Sequence, residues 1–117
     1  MSKKLQRLLI IDILDAIADV ESFTEGQTYD QFTSDKKAQA AIVYKLIVIG
    51  EASNRLSKEY RDKYQQVEWS RIIRCRHILV HEYDMINLEI VWRIRDIYLP
   101  ELKKVLHEIL QNSPDEF

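Results

Sequence analysis

The sequence contains few of the residues that interrupt helices or cross-link chains. Its 117 residues include only two glycines, two prolines and one cysteine. Because glycine and proline both disfavour the interior of a helix, their scarcity favours an all-α protein over a β-rich one. The single cysteine, Cys75, excludes an internal disulfide framework and a cysteine-based zinc site, and it fits a reduced compartment.

Long hydrophobic runs are also missing. No apolar stretch approaches the roughly 18 residues that a membrane-spanning helix needs, so we expect no membrane span. The basic start of the chain is like that of a signal peptide, but Asp12, Asp15 and Asp19 interrupt the apolar stretch that follows. We therefore expect a mature cytoplasmic protein.

Positive charge is scarce overall but locally concentrated. A formal net charge of −2 argues against a broadly basic surface for nucleic acid. However, residues 71–81 carry three arginines and two histidines and no acidic residue. A local basic patch on a mildly acidic protein suits a small phosphate-binding cleft better than broad duplex binding.

What the sequence does have is helix-forming and aliphatic residues at helical spacing. A hydrophobic content of 46% is enough for a single core, so we expect one domain over residues 1–117. Capping residues and apolar spacing predict four main helices, near residues 3–22, 34–58, 69–80 and 87–111, with a short one near 28–32. Short connections between them predict an up-and-down helical bundle.

Two departures from regular helix are expected near the end of the chain. Proline lacks a backbone donor and clashes with the preceding turn, so we expect the last helix to be kinked, or to restart, at Pro100. The final residues, 112–117, are expected to fray from this helix.

The segment from Arg76 to Tyr83 carries the chemistry of the chain. Its sequence, Arg-His-Ile-Leu-Val-His-Glu-Tyr, places a permanent cation, two imidazoles and a phenol within about two helical turns. Such a set can hold a phosphate and move a proton. On a regular helix, His81 lies roughly 140° around the axis from Arg76. The two can therefore meet at one phosphate only if the helix ends near His81 or a second subunit supplies half of the site.

Three interpretations of this segment remain open. His77 and His81 have the i, i+4 spacing of a metal-binding pair, but the Glu of a zincin motif is missing and nearby arginines would repel a dication. A structural role is the second, with Arg76 in surface ion pairs and Tyr83 in the core. The third is metal-free RNA cleavage, in which His81 takes the 2′-hydroxyl proton and Arg76 holds the scissile phosphate.

Arg76, His81 and Tyr83 match the Arg-x4-His-x-Tyr signature of the HepT-like toxins in the HEPN superfamily. The Ile-Gly-Glu-Ala stretch at residues 49–52 and the Trp-Ser-Arg-Ile-Ile stretch at 69–73 also resemble that family, and the similarity covers almost the whole chain. The resemblance implies a bundle that dimerises so that two Arg-x4-His motifs face each other across a cleft. It further implies a metal-independent ribonuclease toxin that needs no cofactor, with RNA as substrate and Arg76 and His81 as catalytic residues.

The resemblance also implies a protein partner. The family's antitoxin is a small nucleotidyltransferase of the MNT type, which neutralises the toxin by transferring AMP from ATP to the tyrosine of the motif, here Tyr83. An added AMP beside Arg76 would occupy the cation and block RNA by charge and bulk. The alternative is a catalytically weak binding module that serves mainly as a scaffold and AMP acceptor for this partner.

Glu51, Arg74 and His77 are candidates for supporting roles. A carboxylate at the end of an apolar helix is costly to bury unless it is paired, so Glu51 could orient Arg76 or His81 from a neighbouring helix. Arg74 and Cys75 stand where the family often has Gly-Met, and His77 stands where it often has Asn. Arg74 could add phosphate affinity, and His77 could compete with His81 as the base.

Overall fold

The computed structural model describes residues 2–112, and within them it contains helices and no strand. The α-helices of this range are α1 (Lys3–Phe23), α2 (Tyr29–Thr33), α3 (Lys36–Arg55), α4 (Lys58–Lys63), α5 (Trp69–His81), α6 (Leu88–Arg93) and α7 (Leu99–Asn112). A 3-10 turn over Tyr83–Met85 follows α5, and a π-helical segment over Ile94–Tyr98 joins α6 to α7. The prediction of an all-α bundle is confirmed.

Polar side chains fix where the helices begin. Thr28 and Gln31 form a reciprocal capping box at the start of α2, with hydrogen bonds of 2.9 and 3.2 Å. Asp35 caps α3 by accepting the N–H of Ala38 at 3.0 Å, and Asn87 caps α6. Each oxygen satisfies an amide that has no partner within its own helix.

Helix α4 is an addition to the sequence-based expectation, which continues the preceding helix to about residue 58. Leu56 instead adopts an extended conformation with ψ of 143° and is buried, which ends α3 early. Ser57 then caps α4 through the N–H of Tyr60, and its own N–H donates to the buried Gln6 side chain of α1 at 2.9 Å. The short polar helix buries one residue, Tyr60, so it lacks the apolar periodicity that reveals longer helices.

The core lies between α1, α3, α5 and α7. Helix α3 packs on α1 along one side and on α5 along the other, while α7 packs on α1. The most deeply buried apolar side chains come from these helices and the segments next to them: Ile10, Ile13, Ile17, Val20, Phe32, Ile42, Leu56, Leu106 and Ile109. Helix α3 is therefore the central element against which α5 is positioned.

Proline 100 is accommodated without a break in the last helix. The N–H of Leu99 bonds to the carbonyl of Ile94, five residues back, so the turn before Pro100 is wider than an α-turn. Ile94 and Leu99 both keep right-handed helical dihedrals. A π-turn of this kind is a common cause of bending in a helix. It lies directly before Pro100, which has no N–H to donate to the helix.

Hydrogen bonds connect this wide turn to the end of α1. The guanidinium of Arg95 donates to the Oγ1 of buried Thr24 at 2.8 Å and to its carbonyl at 3.1 Å, and it lies 4.6 Å from the centre of the Trp92 ring. Thr24 in turn donates its hydroxyl to the carbonyl of Val20. Gly26 makes the turn that follows, with a φ of 72° that favours glycine.

The described chain ends within its last helix. Helix α7 reaches Asn112, and the rest of the expected frayed tail, residues 113–117, lies outside the described residues. Among the residues that the structure describes, no helix has both the length and the apolar character needed to cross a membrane.

Candidate active site

Helix α5 ends at His81, the second histidine of the motif. The N–H of Glu82 closes the last turn by donating to the carbonyl of Ile78 at 2.8 Å. Glu82 then leaves the helical region, with φ −125° and ψ 43°, and the 3-10 turn begins at Tyr83. His81 is therefore the last residue of the helix, as in the first of the two alternatives under which it could meet Arg76 at one phosphate.

Helices α3 and α5 approach most closely where Gly50 faces Arg76. A Cβ atom on Gly50 would overlap the Cβ of Arg76, and it would lie 2.9 Å from its Cγ and 3.3 Å from the carbonyl oxygen of Ile72. Ordinary carbon–carbon contacts are about 3.5–4.0 Å, so only glycine fits at this position. The close approach explains why a glycine stands inside a long helix, where it is intrinsically unfavourable.

Glu51, the residue after Gly50, pairs with Arg76. Its Oε2 lies 3.2 Å from Nη2 of the guanidinium, and the two side chains are 49% and 31% exposed. Since the contact at Gly50 brings α3 and α5 together, the Glu51 carboxylate lies directly beside Arg76. Of the two supporting roles predicted for Glu51, the structure shows the contact with Arg76.

The two histidines lie on the solvent side of α5. Their ring centroids are 4.6 Å apart with planes inclined by 44°, and both residues are exposed. Arg74 is also exposed and, three residues before His77, lies on the same side of the helix. Arg76 instead faces α3, so one chain presents its arginine and its terminal histidine in different directions.

Tyr83 is the most exposed large aromatic of the described chain, at 74%. The interpretation that places it in the core is wrong. The reason is local: α5 ends two residues earlier, so Tyr83 lies in a 3-10 turn that has no buried residue. Most of its side chain is therefore in contact with solvent.

An apolar groove of about 710 Å³ lies beside the motif and is lined by α5 and by the chain from Met85 to Leu102. We call it the arginine groove, because Arg71, Arg74 and Arg93 line it and no acidic residue does. Its apolar lining includes the unusually exposed side chains Ile78, Met85, Ile90 and Ile97. Sequence reasoning missed this surface, although Ile90 and Ile97 are seven residues apart and so repeat at helical spacing on a face separate from the core.

A smaller groove of about 350 Å³ between α1 and α3 has the opposite charge character. Three aspartates of α1 line it together with Glu51, and the cations Lys45 and Arg55 lie opposite. Lys45 pairs with Asp19 at 2.8 Å, and this hydrogen bond raises the pKa of the lysine. Acidic residues on the α1 side disfavour an approaching phosphate, whereas the arginine groove favours it.

The profile of a protein family described as ribonuclease HepT-like matches residues 13–109 of the chain. The chain belongs to the ribonuclease HepT-like family. The HepT-like resemblance read from three short segments of sequence is thereby confirmed.

Several relatives of this HepT-like chain carry names that refer to ribonucleases. A protein of Methanocaldococcus jannaschii named "Putative RNase" is 40% identical over 116 residues, which covers 99% of this chain and 96% of the relative. A "Putative RNase" of Caldanaerobacter subterraneus is 39% identical over 89 residues, covering 76% and 80%. A "Probable ribonuclease HepT" of Thermococcus cleftensis is 32% identical over 92 residues, covering 79% and 84%. No solved structure is significantly similar to the chain.

Proposed function

We propose that this HepT-like protein is a metal-independent endoribonuclease that acts in the cytoplasm as the toxin of a prokaryotic toxin–antitoxin pair. The observation that carries the proposal is the placement of Arg76 and His81: one is held by Gly50 and Glu51 against α3, and the other ends the same helix in solvent. Family membership and the names of the relatives support the same conclusion.

The proposed reaction uses only side chains of the motif. The exposed imidazole of His81 accepts the proton of an RNA 2′-hydroxyl, and the oxygen attacks the adjacent phosphorus. The bond from phosphorus to the 5′-oxygen breaks, that oxygen takes up a proton from water, and a 2′,3′-cyclic phosphate remains. Arg76 donates hydrogen bonds to the non-bridging oxygens, where negative charge increases in the transition state. Positioned acid–base groups of this type contribute about 10²–10⁴-fold in rate.

Glu51 acts in this proposal as a positioning residue. It holds one amino group of Arg76, and no other hydrogen bond or ion pair of that guanidinium occurs within residues 2–112. Nε of Arg76 is buried without a partner in the described part of the chain, so a phosphate would be held through the amino groups of the partly exposed guanidinium. Because the pair is partly exposed, the phosphate can compete with the carboxylate at modest cost.

A second copy of the chain completes the site in this proposal, and the arginine groove is its docking surface. Arg76 and His81 face different directions in one chain, so a convergent site calls for a second copy. Ile78, Met85 and Ile90 expose apolar surface beside the motif that association would remove from water. The arginines of two copies would repel one another, and an RNA phosphate lying between them would relieve that repulsion.

Tyr83 is the proposed point of control by an MNT-type nucleotidyltransferase antitoxin. Its exposed phenol oxygen attacks the α-phosphorus of ATP, a bond to AMP forms, and pyrophosphate leaves. Since Tyr83 follows His81 by two residues, the added nucleotide would lie at the entrance to the site. Its phosphate charge and its bulk would then exclude RNA.

The test of the nuclease is RNA cleavage by purified protein in excess chelator. Wild type should cleave, and His81→Ala and Arg76→Ala should each lower the rate by about 100-fold or more, with the fold checked by circular dichroism. His107→Ala is the matched control, since His107 is an exposed histidine on α7 and should cleave like wild type. Cleavage that requires added metal, or that persists in His81→Ala, would contradict the proposal.

The test of the docking surface is the mass of the protein in solution. Ile90→Glu and Ile97→Glu should each shift the dimer towards monomer in analytical ultracentrifugation. Tyr44→Glu is the control, because Tyr44 is equally exposed on α3 but lines neither groove. A dimer that survives both groove substitutions, or a wild type that is monomeric, would exclude this interface.

The second candidate function is a catalytically weak AMP acceptor. Two observations favour it: Tyr83 is exposed, and the charge of Arg76 is already compensated by Glu51. Expression of the chain without its partner separates the two functions. Growth arrest that disappears with His81→Ala supports the toxin, whereas harmless expression combined with adenylylation of Tyr83 supports the acceptor.

A further inference from the structure

We infer that His77 and His81 form a binding site for late first-row divalent metal ions such as Zn²⁺, and that an ion bound there inhibits the protein by occupying His81. The inhibition rests on the proposed role of His81 as the base, but the binding does not. The metal in this inference is an inhibitor rather than a cofactor.

The two rings lie close enough to reach a shared ion. With a metal–nitrogen distance of about 2.1 Å and the half-width of each ring added, the tetrahedral angle of zinc places the two ring centroids about 5.2 Å apart. The observed separation of the His77 and His81 centroids is 4.6 Å. Both side chains are exposed, so rotation about their own bonds can aim two nitrogens at one point without moving the backbone.

The local charges permit a cation at this place. Arg76 faces α3, and its charge is compensated by Glu51. The carboxylates of Glu82 and Asp84 follow the pair directly and are exposed. His81 is also the last residue of α5, where the unpaired carbonyls of the helix end carry partial negative charge. Arg74 opposes binding, but it is exposed and its charge is screened by solvent and salt.

The site has two ligands rather than three. Among residues 2–112 there is no group of three or more histidine, cysteine or acidic side chains arranged to hold a metal. Water would fill the remaining positions around the ion, as imidazole-bound zinc allows in an open site. Binding should therefore be reversible, and a chelator should remove the ion. Inhibition follows because the lone pair that binds the metal is the one that would accept the 2′-hydroxyl proton.

Metal binding is tested first, without reference to activity. Untagged protein is titrated with Zn²⁺ in competition with a chromophoric chelator, using wild type, His77→Asn, His107→Asn and Cys75→Ser. Wild type should bind one ion per chain. Removing one ligand from a two-point site should weaken binding about 100-fold, so His77→Asn should bind poorly. His107→Asn and Cys75→Ser should bind like wild type, since they alter the other histidine and the only thiol.

Inhibition is tested by RNA cleavage at increasing Zn²⁺, with each variant normalised to its own rate in chelator. Zinc should slow wild type and His107→Asn at the same concentration, and His77→Asn should need about 100-fold more. Undiminished zinc binding by His77→Asn would overturn the site, and a rate increased by zinc would overturn the inhibition. Zinc binding at the pair without cleavage in chelator would uphold the site while refuting the nuclease, so the two failures are distinguishable.

Discussion

The contact between Gly50 and Arg76 makes the substitution Gly50→Ala a sharp test of how the site is held. Alanine has the higher helix propensity, which alone would stabilise α3 by about 1 kcal/mol. However, the new Cβ would overlap the Cβ of Arg76 and lie 2.9 Å from its Cγ, so α3 and α5 must separate by more than about 1 Å to restore ordinary contacts. Forcing extra carbon into a packed contact typically costs about 1–3 kcal/mol.

We take the upper end of that range, because the nearest atoms are Cβ and backbone rather than the flexible end of a side chain. The net effect of Gly50→Ala is then a loss of about 2 kcal/mol in the free energy of unfolding. For a chain of this length, that loss lowers the melting temperature by about 8 °C. Thermal unfolding followed by far-UV circular dichroism measures it directly.

Two further variants separate packing from propensity. Ala40→Gly, at an exposed position of the same helix, should destabilise by about 1 kcal/mol and so calibrates the propensity difference. Arg76→Ala retains the overlapping Cβ, whereas Arg76→Gly removes it. Gly50→Ala should therefore stabilise the protein in the Arg76→Gly background. A melting temperature that rises when Gly50→Ala is made in the wild type would refute the close contact.

Three further predictions concern the scaffold. Thr24→Val should lower the free energy of unfolding in urea by about 1–3 kcal/mol, because the partly buried Nε of Arg95 loses its acceptor; an unchanged value would show that this hydrogen bond contributes nothing. The hydrogen bond from the N–H of Ala38 lowers the pKa of Asp35 below its ordinary value of 3.8. The Asp35 carboxylate therefore stabilises the fold above pH 3.8, and this stabilisation is lost as the pH falls through the lower pKa of the folded state. Asp35→Asn should therefore lose less stability than wild type in acid unfolding below about pH 4, and parallel curves would contradict this. Burial raises the pKa of the Cys75 thiol, so iodoacetamide should modify the folded protein more slowly than the unfolded chain at mildly alkaline pH, and equal rates would exclude a protected thiol.

The elements that the sequence predicts well are those with a local signal. Thr28 and Asn87 mark helix starts because their side chains bond to amides only two or three residues away. The end of α5 near His81 follows from the weakening of apolar periodicity in the same short stretch. The stacking of His77 on His81 likewise needs nothing beyond i, i+4 spacing.

The features that could not be predicted depend on contacts between distant parts of the chain. Nothing near Gly50 in the sequence indicates that Arg76 will lie against it, since that depends on how α3 and α5 pack. Helix α4 depends on Gln6, which is fifty-one positions before the Ser57 amide that it binds. The exposure of Tyr83 depends on a 3-10 turn whose short sequence carries no periodic signal.

The π-helical segment has a consequence for the length of the chain. A π-turn uses one residue more than an α-turn, so residues after it are rotated by about 100° relative to those before it. This rotation lets α6 face α2 and α3 while α7 faces α1, although both belong to one continuous rod. Deleting a single residue between Asn87 and Pro100 would replace the π-turn by a regular α-turn. The combined helix could then pack either on α2 and α3 or on α1, but not on both. The fold therefore depends on the number of residues in this stretch as strongly as on their chemical nature.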